Sequence, residues 1–358
     1  MFSPPGIIDD YLPEKNKYTN FKNIETLVFS QEKPASLQMQ RFVNLIKSNY
    51  LQNKDNTFTP CAENIVPYLT GHNDKTFISF YNEDVFFLDN KTGNTIGDNK
   101  IVGVMTSRPI YVAINNGNKH SQFRAYYVDY LCVDKLYRKK GIAPQLIQTH
   151  HYNQRRINKN IVVSLFKREE ELTGIVPLTV YSTYGFPVTT WTKPTDLSAQ
   201  YTLLEMNPQN FHHLFRFIKD YEDRFDIVIH TEASNLVGLI KTKNIFVYSI
   251  LVDDTIVGAY FYRKSCVQVE KGLEVLSCFA SICKTDESIF IQGFKISFWK
   301  ISSENNFGFS AIEDISDNNI IIRNIVKKTA PLIVSPTAYF FYNFGYPSFK
   351  SNKVLIIN

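Results

Sequence analysis

Residues 127–147 read YVDYLCVDKLYRKKGIAPQLI. The apolar opening predicts a strand over Tyr126 to Val133. A basic hinge follows, and Pro144, a residue suited to the first helical position, predicts a helix from there. Within the hinge, Arg138, Gly141 and Ala143 form the pattern R-x-x-G-x-A. At a strand-to-helix junction this spacing has a physical use. The first N–H groups of a helix have no internal partner, and the helix dipole adds positive charge there. Gly141 lets the backbone approach a bulky anion, and Ala143 keeps that approach clear. Lys135, Arg138, Lys139 and Lys140 add attraction, so a diphosphate is the natural occupant. Without a ligand, the same residues make a solvated basic cap.

The rest of the chain narrows the choice of function. There are 358 residues, 44% hydrophobic and 20% charged, enough for a large core and two domains. A net charge of +5 is too modest to argue for a nucleic-acid surface. The five cysteines include no CxxC pair, which points to reduced thiols and a cytoplasmic location. The N-terminus carries no basic-then-apolar leader, and no apolar run approaches the ~18 residues of a membrane helix. The seven histidines are scattered without ligand spacing, so no metal is expected. GxSxG and GxxxxGK[ST] do not occur, which removes the serine-hydrolase and P-loop readings.

Organisation along the chain shows two similar halves. Residues 1 to about 22 read as a surface arm. Residues 37–50 place Phe42, Leu45 and Ile46 at helical spacing. Residues 76–88 and 100–113 read as strands around a turn-rich loop. TKPTDLSAQ (192–200) reads as a linker. NPQNFHHLFRFIKDYEDRF then predicts a helix, and FVYSILVDDTIVGAYFYR a hairpin turning at Asp253-Asp254. DNKIVGVM (98–105) echoes DDTIVGAY (253–260), which reads either as two copies of one α/β unit or as common hairpin vocabulary, a polar turn followed by Ile-Val-Gly.

R-x-x-G-x-A resembles the pyrophosphate loop of GNAT-type acyltransferases. The longer stretch YLCVDKLYRKKGIAPQLI resembles, without a gap, the N-myristoyltransferase signature F-L-C-V-H-K-x-L-R-S-K-R-x-A-P-x-L-I. KIVGVMTSRPIYV is similar to that family's K-L-V-G-F-I-S-A-I-P strand, and AYFFYNFGYPSFKSNKVLIIN to its Y-Y-L-Y-N-W-x-x-P-S ending. Such matches run in one order from residue 37 to 358. The resemblance implies an α/β (α+β) fold: two tandem GNAT-like units in a continuous twisted mixed sheet flanked by helices. Residues 1–191 would bind acyl-CoA, and residues 192–358 would shape the peptide groove.

The implied activity is glycylpeptide N-tetradecanoyl transfer from myristoyl-CoA, a co-substrate, to the N-terminal glycine amine of peptides and proteins. The enzyme would be a monomer without metal, bound cofactor or nucleic-acid partner. By resemblance, Leu131, Val133, Arg138, Lys139, Lys140, Gly141, Ile142 and Ala143 meet the CoA thioester. The backbone amides of Tyr130 and Leu131 form the oxyanion hole, through a strand bulge carried over from the family. The terminal carboxylate of Asn358 is the base, at the end of an apolar segment that asks for burial. This end is one residue shorter than the family's, and a glycine is missing. Thr173 relays the proton. Asp129, where the family has asparagine, is expected to assist Asn358. Cys132 beside it is core packing.

Gln52, Asn53, Lys54 and Asp55 replace the family's acidic E-D-x-D, which predicts a weaker preference for basic peptides. Phe58 matches a peptide-lining phenylalanine. The family's F-W-x-T-Q-P arm is absent. Two other readings stay open: a GNAT acetyltransferase using a short acyl-CoA, favoured by Gly141 where the family has arginine, and an inactive acyl-lipid or peptide-binding protein.

Overall fold

The computed structural model describes residues 5–29, 34–51, 56–88, 95–116, 119–169, 174–189, 191–269 and 272–358. Its first part contains β1 (Gly6–Ile7), β2 (Ile24–Val28), α1 (Ser36–Asn49), β3 (Thr57–Phe58) and α2 (Ala62–Ile65). Next come the hairpin β4 (Phe77–Leu88) and β5 (Thr95–Asn116), then β6 (Lys119–Tyr127), β7 (Leu131–Val133), α3 (Ile142–Ile157), β8 (Val163–Glu169) and β9 (Thr179–Pro187). The later part opens with β10 (Thr202–Glu205), α4 (Phe211–Tyr221), β11 (Ile227–His230) and α5 (Ala233–Lys241). It repeats the earlier order with the hairpin β12 (Ile245–Val252) and β13 (Thr255–Val269), β14 (Leu273–Cys283), α6 (Glu287–Asn305) and β15 (Phe307–Glu313). The chain closes with α7 (Asn318–Ile325), β16 (Ile333–Tyr342), β17 (Phe344–Gly345) and β18 (Val354–Ile357).

The echo in the sequence is thus an echo in topology. Each copy is a hairpin, a further strand, a helix and a returning strand, with β6 parallel to β8 and β14 parallel to β15. The glycine of each Ile-Val-Gly lies under the helix of its own copy. A Cβ on Gly103 would stand 2.8 Å from Leu146 of α3, and one on Gly258 would stand 3.3 Å from Phe290 of α6. The β12–β13 hairpin turns at Asp253 and Asp254 as predicted, with φ values of 46° and 61°.

Sixteen described strands form one mixed sheet. Strands from the two sides of residue 192 interleave in it, in the order β15-β9-β16-β8. At the far end, β11 pairs antiparallel with β5 and parallel with β18. All four residues of β18 are buried. Leu355 and Ile357 join one apolar cluster, and Val354 and Ile356 another. A strand with both faces covered must be apolar throughout, which is how this terminal segment reads.

Several boundaries differ from expectation. The second strand is longer, Thr95–Asn116 rather than 100–113. The helix after the hinge begins at Ile142, not Pro144. Proline is tolerated inside a first turn because no hydrogen bond is lost there. The N-terminal arm is tied down: β1 pairs with β17, and Arg155 donates to the carbonyls of Asp10 and Tyr11.

Candidate active site at the strand bulge

Tyr126 to Val133 is not one strand. Arg108 pairs with Tyr127 and Met105 with Leu131, three steps on β5 against four on its partner. That extra residue is a β-bulge at Val128–Tyr130, and it re-aims the backbone. The Val128 N–H donates to the Leu165 carbonyl of β8 at 2.9 Å, the last bond before β7 diverges from β8. On the other side, the Tyr130 carbonyl accepts from Thr106 N–H, and Asp134 N–H donates to Val102. Antiparallel strands alternate their bonding side, so the main-chain groups of Leu131 and Val133 point away from β5. No described strand pairs with that edge of β7. The Leu131 amide therefore faces the opening between β7 and β8. The Tyr130 amide is engaged, donating to Thr106 Oγ1 at 3.1 Å.

The hinge follows β7 directly in the chain. Lys139 and Gly141 have φ values of 63° and 76°. A Cβ on Gly141 would meet only Gln145, at 3.8 Å, so its backbone angle rather than crowding demands glycine. Gly141, Lys139 and Lys140 are exposed, Ala143 is half-buried, and Ile142 is buried. Arg138 is placed differently from its neighbours. Its Nη2 donates to the Asn49 carbonyl at 2.6 Å, and its Nε to the Val133 carbonyl at 3.2 Å. The buried Asn49 also accepts from Lys135 N–H at 2.8 Å. Asn49 thus locks α1 to the loop, a role the sequence reading missed. Its signal was a polar residue in register with Phe42, Leu45 and Ile46. In the second copy, α6 starts with Asp286 and Glu287 where the first has a basic glycine loop. Two acids at a helix start repel a diphosphate.

Asp129, just before the Tyr130 amide, is held by Arg108. Nε of Arg108 lies 3.0 Å from both carboxyl oxygens, and the arginine is 1% exposed. Burial pushes the Asp129 carboxyl above the usual carboxylate range, against the pull of Arg108. Set against the motif quoted above, Arg108 stands at an isoleucine position and Asp129 at an asparagine position. These two departures are one ion pair. Burial pushes the Cys132 thiol up to about 12, which leaves it inert core packing.

β18 carries Asn358 into the interior, where it is fully buried. Its main-chain oxygen accepts a hydrogen bond from Arg263 Nη2, which also reaches Asn358 Oδ1 at 3.1 Å. The fold itself thus supplies Asn358 with a guanidinium. Arg263 was missed because a single arginine in an apolar strand looks like an edge residue. Lys167 of β8, paired with Glu313 at 3.0 Å and Glu169 at 3.1 Å, lies in the same interior. Thr173 and the segment Gln52, Asn53, Lys54 and Asp55 lie outside the described residues. Phe58 is buried, its ring 5.3 Å from that of Tyr50. A cavity of about 590 Å³ opens beside the arm, lined by Tyr11, His151, Val176, Phe341 and Tyr346 among others, and touches none of the residues expected at the site.

No family model matches the sequence, and no curated protein sequence does. Solved structures do match. Saccharomyces cerevisiae N-myristoyltransferase with bound myristoyl-CoA superposes with a TM-score of 0.73 over 98% of this chain and 91% of the yeast chain, at 14% identity. A second yeast structure, with bound myristoyl-CoA and inhibitors, matches with the same score and identity over 98% and 88%. The chain has the N-myristoyltransferase fold. Chemistry does not follow from a fold at 14% identity. Within the N-myristoyltransferase fold, this chain joins an open strand edge, a basic helix start and a buried chain end.

Proposed function

We propose that the protein transfers an acyl group, myristoyl by preference, from its CoA thioester to the amine of an N-terminal glycine. The observation that carries this reading is the bulge at Val128–Tyr130, which leaves the Leu131 amide on the unpaired edge of β7, the strand that leads into the basic helix start. The diphosphate of CoA would meet the amides of Ile142 and Ala143 with Lys139 and Lys140 beside them. The amine nitrogen attacks the thioester carbon, and negative charge moves to the carbonyl oxygen. Leu131 N–H receives that oxygen, joined by Tyr130 N–H as it exchanges away from Thr106. The amine proton passes to the carboxylate of Asn358, with Thr173 as relay and Asp129 assisting. Collapse breaks the carbon–sulfur bond, and the CoA thiolate leaves and takes up a proton. The support for myristate in particular is the likeness to a yeast enzyme crystallised with myristoyl-CoA.

Mass spectrometry of a glycine-led peptide incubated with CoA thioesters of two to sixteen carbons tests this. A product gaining fourteen carbons fastest is expected. Transfer of acetyl alone would favour the short-chain reading that the left-handed Gly141 suits. Binding without any product would leave an acyl-lipid or peptide-binding protein.

A further inference from the structure

Arg108 and Arg263 are the same residue of the two copies. Each follows the glycine of its Ile-Val-Gly, Gly103 or Gly258, at the same distance along the strand. Both guanidiniums lie over the ring of Tyr68, with their carbons 5.3 Å and 6.0 Å from its centroid. Each is half used. Arg108 holds Asp129 through Nε, and Arg263 holds Asn358 through Nη2. Among the described residues, Arg108 Nη1 and Arg263 Nε are buried without a partner, and so are Tyr68 Oη and Asn358 Nδ2. Arg108 and Asn358 are 1% and 0% exposed.

All four of these atoms can donate, and a buried donor left without an acceptor loses its hydration with nothing to replace it. Two guanidiniums with unused donors at one tyrosine ring, itself with an unused hydroxyl, point to an acceptor that arrives from outside. Its charge is constrained by what surrounds it. Asp129 balances Arg108, while Glu169 and Glu313 face Lys167. A field already balanced does not recruit a free anion; it suits a neutral, strongly polar oxygen.

We propose that Arg108, Arg263 and Tyr68 seat the first peptide carbonyl oxygen after the reactive amine of the acceptor, which rests on the acyl-acceptor reading above. The seat selects amines attached to a peptide over simple amines. It also uses both halves of the duplicated fold, one arginine from each, to hold one substrate group.

The test compares a glycine-led peptide with its alkene isostere, which keeps the shape of the first peptide bond but lacks the carbonyl. Affinities are measured by calorimetry on the full chain, with and without a non-transferable thioether analogue of myristoyl-CoA. The peptide is expected to bind about 10- to 100-fold tighter than the isostere. Tyr68→Phe, a change that removes one oxygen, narrows that ratio several-fold and leaves isostere affinity unchanged. The double variant R108I/D129N, which removes the pair together, narrows it further. Equal affinity for both ligands, or for neither any binding, overturns the seat. Discrimination without any acyl transfer sinks the transferase reading and leaves the seat standing.

Discussion

Arg108 Nε lies 3.0 Å from each carboxyl oxygen of Asp129, in a position where the arginine is almost wholly buried. The two residues form one buried ion pair. Removing one partner of a buried pair strands the other charge. R108I is therefore expected to destabilise the protein by about 3–5 kcal/mol. The double variant R108I/D129N, which restores the apolar and amide pattern together, should recover most of that loss. Urea unfolding of the two singles and the double measures it.

Asp129 and Asn358 should also appear in the pH dependence of transfer. With its carboxyl raised by burial, Asp129 gains its charge at a higher pH than an exposed aspartate. The acid limb of kcat/KM should fall as pH drops and this carboxylate takes up a proton. Asp129→Asn should remove the share of that limb that belongs to Asp129 and leave the share of Asn358; an unchanged profile would rule out the part of Asp129 in proton transfer. Adding one residue after Asn358 moves the carboxylate away from Arg263 and should cost about 10²-fold or more in kcat.

The hinge residues should separate into two classes. Lys139 and Lys140 are exposed and free of the loop's own bonds to Asn49 and Val133, so K139A/K140A should weaken CoA affinity about tenfold at low salt. That effect should shrink as ionic strength rises. Arg138 spends its guanidinium on Asn49 and Val133, so Arg138→Ala should lower thermal stability instead. Gly141→Ala forces a side chain into a left-handed backbone and costs about 1–2 kcal/mol. Thermal melts beside CoA titrations tell these outcomes apart.

Acid stability has a nameable origin in His150. Ser107 Oγ donates to Gln154, so it accepts from His150 Nε2, while Ser79 donates to Nδ1, each bond being 2.8 Å. The neutral ring is satisfied, and burial lowers its pKa to about 3. Between its ordinary value near 6.5 and 3, the unfolded chain binds a proton that the folded chain refuses. Stability is complete above the upper value and falls as pH drops. The expected share of His150 in the loss from pH 7 to about pH 4 is about 3 kcal/mol, beside the shares of His72 and His151, which burial lowers to about 4, and denaturant melts across that range read the sum. His150→Gln should flatten the slope.

The hinge, the helix in front of the first hairpin, the turn at Asp253-Asp254 and the apolar chain end were all legible because each is encoded locally. Period, turn chemistry and capping act over a few neighbouring residues. The bulge was less legible, since an extra residue in a strand shows only against the register of its partner. Arg108, Arg263 and Asn49 were illegible as site residues for the same reason. Each is one polar side chain in an apolar segment, and its meaning depends on what lies across the sheet.

Short-range pattern alone encodes a repeated α/β unit, a basic glycine turn at one helix start and not at the other, and a terminal strand apolar enough to be buried on both faces. Which charges meet is a matter of the folded sheet. Arg108 finds Asp129 across a bulge, and Arg263 finds Asn358 at the end of a strand threaded beside β11. Local propensity is short-ranged, whereas a buried charge must be matched by whatever the fold brings within hydrogen-bonding distance.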